Sequence, residues 1–145
     1  MGQQQPPYER NEKDNNRDLS NTEFSFKYTE SGGIAKHYLL ISYNSKKNTV
    51  VSSTDISGSN ITQKQPSQSD EQELKEVAKK NEFFQTMTDY PPEKEDENLI
   101  AYTLTITVGD NEHTTGWTDA SKDIPDSIVK IVSLIKKIVS KEKIV

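Results

Sequence analysis

Cysteine is missing from all 145 positions, which excludes disulfides, thiolate zinc sites and cysteine nucleophiles together. Histidine is nearly as scarce. His37 and His113 are the only two, and neither stands in a His-Glu-x-x-His helix or any other metal-ligand spacing; both are expected to be surface or rim side chains. A charge excess is missing as well. With 18 basic and 23 acidic residues, the chain has no surplus of positive charge to neutralise phosphates, so nucleic acid is not an expected partner. No apolar run approaches the ~18 residues of a membrane span. Met1 to Leu19 lacks the apolar stretch of a signal peptide, and Pro6 stands where a myristoylation signal requires Ser or Thr. Together these absences lead to the expectation of a soluble, cytoplasmic protein without membrane contact.

Apolar side chains are few but patterned. Leu, Ile, Val and Phe together make 31 of the 145 residues, about 21%, just above the range in which a chain cannot bury enough surface to fold. The net charge of −5 is modest for this length, so a folded core diluted by polar segments is expected. Residues 1–22 hold only Met1, Tyr8 and Leu19 among Gln, Asn, Pro and mixed charge, too little apolar surface to offset the entropy of ordering a backbone. They read as a disordered tail, and 23–145 as one domain.

Within that domain, Phe24, Phe26 and Tyr28 alternate with polar residues at strand period, and Leu39, Ile41 and Tyr43 resume the alternation beyond Glu30-Ser31-Gly32-Gly33. This predicts a hairpin with two glycines in its turn. Thr49 to Ser52 fits a short third strand. The stretch around 44–68 is polar, Ser- and Gln-rich from Ser52 onward, and reads as a flexible insertion. Ser69 and Gln72 make a capping box for a helix whose apolar stripe is Leu74, Val77 and Ala78. Phe83, Phe84 and Met87 are expected in the core, and Pro91 to Glu97 in an exposed loop. Ile100 to Val108 alternates as the clearest strand, Gly109-Asp110-Asn111 turns the chain, and His113 to Trp117 returns antiparallel. Pro125 opens a final helix in which Ile128, Ile131, Val132, Ile135, Ile138 and Val139 recur at helical spacing. The fold class is α+β: a two-layer sandwich with a mainly antiparallel sheet of about four strands and two helices packed on one face.

Catalytic chemistry has no visible foothold. No serine sits in a nucleophile elbow, Gly32-Gly33 lies in a hairpin rather than between a strand and a helix, and Glu93 to Glu97 lacks the alternation and central glycine of a calcium loop. No metal, no cofactor and no enzymatic activity are expected. On composition and spacing alone the chain is a small binding module.

The order of these signals carries more. A strand leads to Ser31-Gly32-Gly33-Ile34-Ala35, then come a strand, a capped helix and Asn81-Glu82-Phe83-Phe84; Asp96 is followed by Tyr102-Thr103-Leu104-Thr105-Ile106, His113-Thr114-Thr115, Asp119 and Ile124-Pro125 ahead of an amphipathic helix. Over roughly residues 23–139 this arrangement resembles the emfourin family, small protein inhibitors of thermolysin-like zinc metallopeptidases such as protealysin. The tail and the 44–68 stretch are additions to the family pattern, and Thr86-Met87 stands where a Leu-Pro pair typically follows the two phenylalanines.

The resemblance implies that the chain is a monomer when free and blocks the active-site cleft of a thermolysin-like, protealysin-type peptidase. Ser31, Gly32, Gly33, Ile34 and Ala35 are the candidate peptidase-binding residues. The glycines allow positive φ and close backbone approach, Ile34 offers an apolar anchor, and Ser31 offers a hydrogen bond to enzyme backbone. The alternative is that the glycines merely close a hairpin and Ile34 packs inside. Gly109, Asp110 and Asn111 are the candidate rim contact at the same sheet end, with an ordinary hairpin turn as the alternative. Trp117 is expected in the core. A second function class fits the same fold: an adaptor that binds another protein, with no peptidase involved.

Overall fold

A computed structural model describes residues 23–79, 81–95 and 98–140. The N-terminal tail 1–22, Asp96 and Glu97 of the expected exposed loop, and residues 141–145 lie outside the described residues. The chain is α+β. Strands β1 (Phe24–Gly32), β2 (His37–Asn44), β3 (Thr49–Ser53) and β4 (Ile61–Lys64) come first, then helix α1 (Gln68–Lys79) and the single turn α2 (Asn81–Phe84). The hairpin β5 (Ile100–Val108) and β6 (Asn111–Thr118) and the helix α3 (Asp126–Ser140) complete it.

The strands form one sheet in the order β4-β3-β2-β1-β5-β6, every neighbouring pair antiparallel. Six strands, rather than about four, follow from β3 and β4 extending the β1–β2 hairpin as a meander. β4 falls inside the stretch expected to be a flexible insertion. Only Ile61 is apolar in it, because an edge strand that exposes both faces has no need of an apolar row.

One face of the sheet carries the core. Register aligns Phe26 with Tyr43 and Ile106, and Tyr28 with Ile41 and Leu104. All six are buried. Ile128, Ile131, Leu134, Ile135 and Ile138 of α3 close over them, joined by Leu74 and Ala78 of α1 and by Phe83. The helical stripe and the strand alternation meet in a single cluster, as a two-layer sandwich requires. The opposite face of β1, β5 and β6 is polar, with cross-strand hydroxyl pairs Thr29–Thr103 at 2.5 Å and Thr105–Thr114 at 2.8 Å.

Three local expectations are corrected. The α1 cap is Ser67, whose hydroxyl accepts from the Asp70 amide at 3.1 Å, so the helix begins two residues earlier than the Ser69–Gln72 box implies. Met87 is 55% exposed and not in the core. It lies on a strap that runs along β6, where Gly116 accepts from the Tyr90 amide and donates to the Thr88 carbonyl. β1 also continues through Glu30 to Gly32, which moves the bend to residues 33–36.

Candidate functional site

At one end of the sheet the β1–β2 hairpin is flanked unequally: β5 accompanies β1 as far as Gly32, while β3 ends earlier. β2 pairs with β1 as far as Gly32 and His37, whereas β3 stops at Ser53, opposite Leu40. Three residues of hairpin therefore extend past β3, about 10 Å of strand. At the tip the Lys36 amide donates to the Gly33 carbonyl at 3.1 Å, closing a four-residue turn over Ile34 and Ala35. Ile34 is 81% exposed, which removes the alternative that it packs inside.

Glycine is required in this bend. Gly32 sits at φ +114° and Gly33 at φ +82°, outside the usual range of L-residues. A Cβ on Gly32 would lie 2.7 Å from the Leu99 carbonyl oxygen, and one on Gly33 would lie 3.1 Å from Ile100 Cγ1. The close approach serves the base of the hairpin, where the Gly33 amide donates to the Leu99 carbonyl at 3.2 Å. Two adjacent strands thus clamp the bend.

Directly behind it is a buried charge. Glu30, 6% exposed, accepts at Oε1 from His37 Nε2 at 2.6 Å and at Oε2 from Lys136 Nζ at 2.7 Å and from the Tyr28 hydroxyl. Burial pushes the Glu30 carboxyl up, but hydrogen bonds from Lys136, Tyr28 and His37 outweigh it and leave the group below the usual carboxylate range. Burial first, and then the bond to Glu30, push the Tyr28 hydroxyl well above the ordinary tyrosine value, which keeps it a donor. Lys136 belongs to α3 and His37 to β2, so this one carboxylate ties both to the last inward-facing turn of β1. Beside it, Tyr102 stacks on Trp117 at 5.5 Å and Trp117 lies 6.5 Å from Tyr28, forming with Ile124, Val132 and Lys136 an open cleft of about 310 Å³. Trp117, expected in the core, is only partly buried: it packs against the core from outside and lines this cleft.

None of these groups is arranged as a nucleophile with its base. The Thr86 hydroxyl donates to the Phe83 carbonyl at 2.7 Å and so accepts from His113 Nε2 at 3.0 Å, the reverse of an activated hydroxyl. His113 is wedged edge-on to Phe83, 5.2 Å between centroids. Glu30 already has three donors on its two oxygens. Among the described residues, no cluster of three or more His, Asp or Glu side chains is placed to hold a metal ion, and no helix is long and apolar enough to cross a membrane.

The structure brings Ser31, Gly32, Gly33, Ile34 and Ala35 together at the closed end of the β1–β2 hairpin, the first two as the last residues of β1. It does not bring Gly109, Asp110 and Asn111 to them. Phe24 pairs with Val108 and Gly32 with Ile100, so the β5–β6 turn lies at the far end of β1, about 26 Å away along the strand. It is therefore not at the same sheet end as the bend. What does share the hairpin's end is the β3–β4 loop, residues 54–60, which composition alone presents as flexible and which contains Ile56, 80% exposed. Its signal is legible in retrospect: Asp55-Ile56-Ser57-Gly58 has the Asx-turn pattern of an aspartate, a hydroxyl two residues on and a glycine. Compared with known proteins, the chain matches no family model and no curated protein.

Proposed function

We propose that the protein is an inhibitor, and not an enzyme, that blocks the active-site cleft of a thermolysin-like zinc metallopeptidase with its β1–β2 hairpin, acting as a cytoplasmic monomer related to the emfourins. The observation that carries this reading is the hairpin tip: Ile34 stands in solvent on a bend clamped at its base to Leu99 and backed by the Glu30 network.

The physical case rests on presentation. A thermolysin-like cleft offers a metal with an open position and a neighbouring pocket for a bulky apolar side chain. An isoleucine at the tip of a narrow hairpin fits such a pocket. Two glycines at positive φ keep the chain slim where it would enter. Because the backbone of the bend is already fixed, association avoids most of the cost of ordering a loop, about 1–2 kcal/mol for each residue whose backbone would otherwise be ordered on binding. Ser31 and the exposed peptide groups of the tip remain available to hydrogen-bond with enzyme backbone.

Stoichiometric mixing tests the reading. Purified protein is titrated into a panel of thermolysin-like peptidases, a protealysin-type enzyme among them, and hydrolysis of a short peptide substrate is followed. The expected result is loss of activity with an end point near one inhibitor per enzyme in at least one case. Full activity across the panel at micromolar inhibitor rejects it.

A further inference from the structure

We propose that the β3–β4 loop, Thr54 to Asn60, is a second contact element for the same peptidase, with Ile56 as its anchor. This inference rests on the inhibitor reading above. The first argument is area. A stable protein–protein interface takes about 800 Å² and 20–30 residues from each partner. The six residues from Ser31 to Lys36 fall well short of that, so the surface beside them must also be engaged. β3 lies next to β2, about 5 Å away, and runs toward the hairpin's end before entering the loop.

The second argument is chemistry. Five large apolar side chains are conspicuously exposed among the described residues: Ile34, Ile56, Ile61, Met87 and Val129. Three of the five belong to the two hairpins at this end. Ile61 borders the loop, since a Cβ on Gly58 would lie 4.0 Å from Ile61 Cδ1. At 80% exposure Ile56 contributes almost nothing to the core, and its apolar surface is available to a partner.

The third argument is rigidity. Asp55 Oδ1 accepts from the Ser57 amide and the Ser57 hydroxyl, both at 2.9 Å, and Oδ2 accepts from the Ser59 hydroxyl at 2.6 Å. The Gly58 amide donates to the Asp55 carbonyl at 2.8 Å, with Gly58 at φ +80°. The Ser53 hydroxyl reaches the same carbonyl at 2.9 Å. Ile56 is therefore held out on a loop folded around one aspartate, the same mode of presentation as Ile34. The hydrogen bonds from Ser59 and then Ser57 also hold the Asp55 carboxyl below its ordinary value, which keeps it an acceptor. The matching surface on the peptidase is an apolar patch on the rim of the cleft, flanking the pocket that takes Ile34.

The test measures inhibition constants against a thermolysin-like peptidase that the native chain inhibits. Ile34→Asp, Ile56→Asp, Ile56→Ser and the Ile34→Asp/Ile56→Asp double variant are compared, with thermal unfolding recorded for each. Ile56→Asp and Ile56→Ser are expected to weaken inhibition at least ~5-fold with unfolding unchanged, and the double variant by about the product of the single effects, as for contacts without shared partners. Asp55→Ala is expected to weaken inhibition while Ile56 is still in place. If both Ile56 variants inhibit as well as the native chain while Ile34→Asp does not, the second contact is overturned and the inhibitor reading stands. If the native chain inhibits no such enzyme, both fall.

Discussion

Ile34 and Glu30 sit four positions apart on one hairpin and have opposite relations to solvent, so their substitutions separate binding from folding. Ile34→Asp removes an apolar anchor that the free protein does not bury. Thermal unfolding should therefore stay within a degree or so of native, while the inhibition constant rises at least ~10-fold, equivalent to about 1.4 kcal/mol. Glu30→Gln does the reverse. It keeps the shape but removes the charge that Lys136 and His37 meet and weakens the acceptor for Tyr28. Hydrogen bonds to a charged group contribute about 1.5–3 kcal/mol each. Lys136 is half exposed and regains water when released, so the net loss should be about 1–3 kcal/mol in denaturant unfolding. Any loss of inhibition beyond that would come through the hairpin base, because Glu30 itself faces the helices.

For the elements, the decisive residues are those that set a turn or an end. Gly32 and Gly58 share positive φ but differ in surroundings: a Cβ on Gly32 meets a backbone carbonyl at 2.7 Å, whereas one on Gly58 meets only a side-chain carbon at 4.0 Å. Gly58→Ala should thus cost only the left-handed penalty, about 1–2 kcal/mol, and Gly32→Ala distinctly more, because β1 and the start of β5 must also separate. Thermal melts of the two variants check the order. The same distinction between local and long-range causes decides what was legible beforehand. β1, β2, β5 and α3 show in the sequence because each buries one face and so carries an unbroken period, as in Phe24-x-Phe26-x-Tyr28 or Ile128 to Val139. β4 does not show, since a strand that buries neither face leaves no pattern. The presence of the bend was legible from Gly32 and Gly33, which answer a local backbone demand, though the turn itself spans 33–36 and not Ser31 to Ala35. The placing of Gly109-Asp110-Asn111 was not: the end of the sheet it occupies depends on β5 running antiparallel to β1, a pairing between segments some 75 residues apart that no local spacing encodes. Ser67 displaced Ser69 as the α1 cap for a smaller reason, the presence of two hydroxyls within one turn of the same acidic start.

In the molecule as a whole, the ionisable groups tied into the fold bound the pH range over which it is stable. Glu30 is lowered in the folded state, despite burial, by Lys136, Tyr28 and His37. A carboxyl lowered on folding stabilises fully above its unfolded value, about 4.3, and that stability is lost as pH falls through the folded value. On the alkaline side, Tyr28, Tyr43 and Tyr102 are all raised, first by burial and then by the carboxylates of Glu30, Glu71 and Asp119 respectively. A phenol raised on folding stabilises fully below its unfolded value, about 10, and the contribution is lost as pH climbs toward the folded value. Unfolding temperature should therefore be nearly level from about pH 5 to 9 and fall on both sides. Glu30→Gln should lower the plateau and flatten the acid limb, because the variant no longer releases a proton on folding at that site. Phenolate absorbance gives an independent reading of the alkaline limb: three of the six tyrosines should ionise only as the fold is lost, so their titration should coincide with unfolding by circular dichroism. If instead these three ionise near pH 10 in the intact fold, the hydroxyl–carboxylate pairs within β1 (Tyr28–Glu30), between β2 and α1 (Tyr43–Glu71) and between β5 and the Asp119 turn (Tyr102–Asp119) do not persist in solution, and the hairpin base loses part of its rigid support.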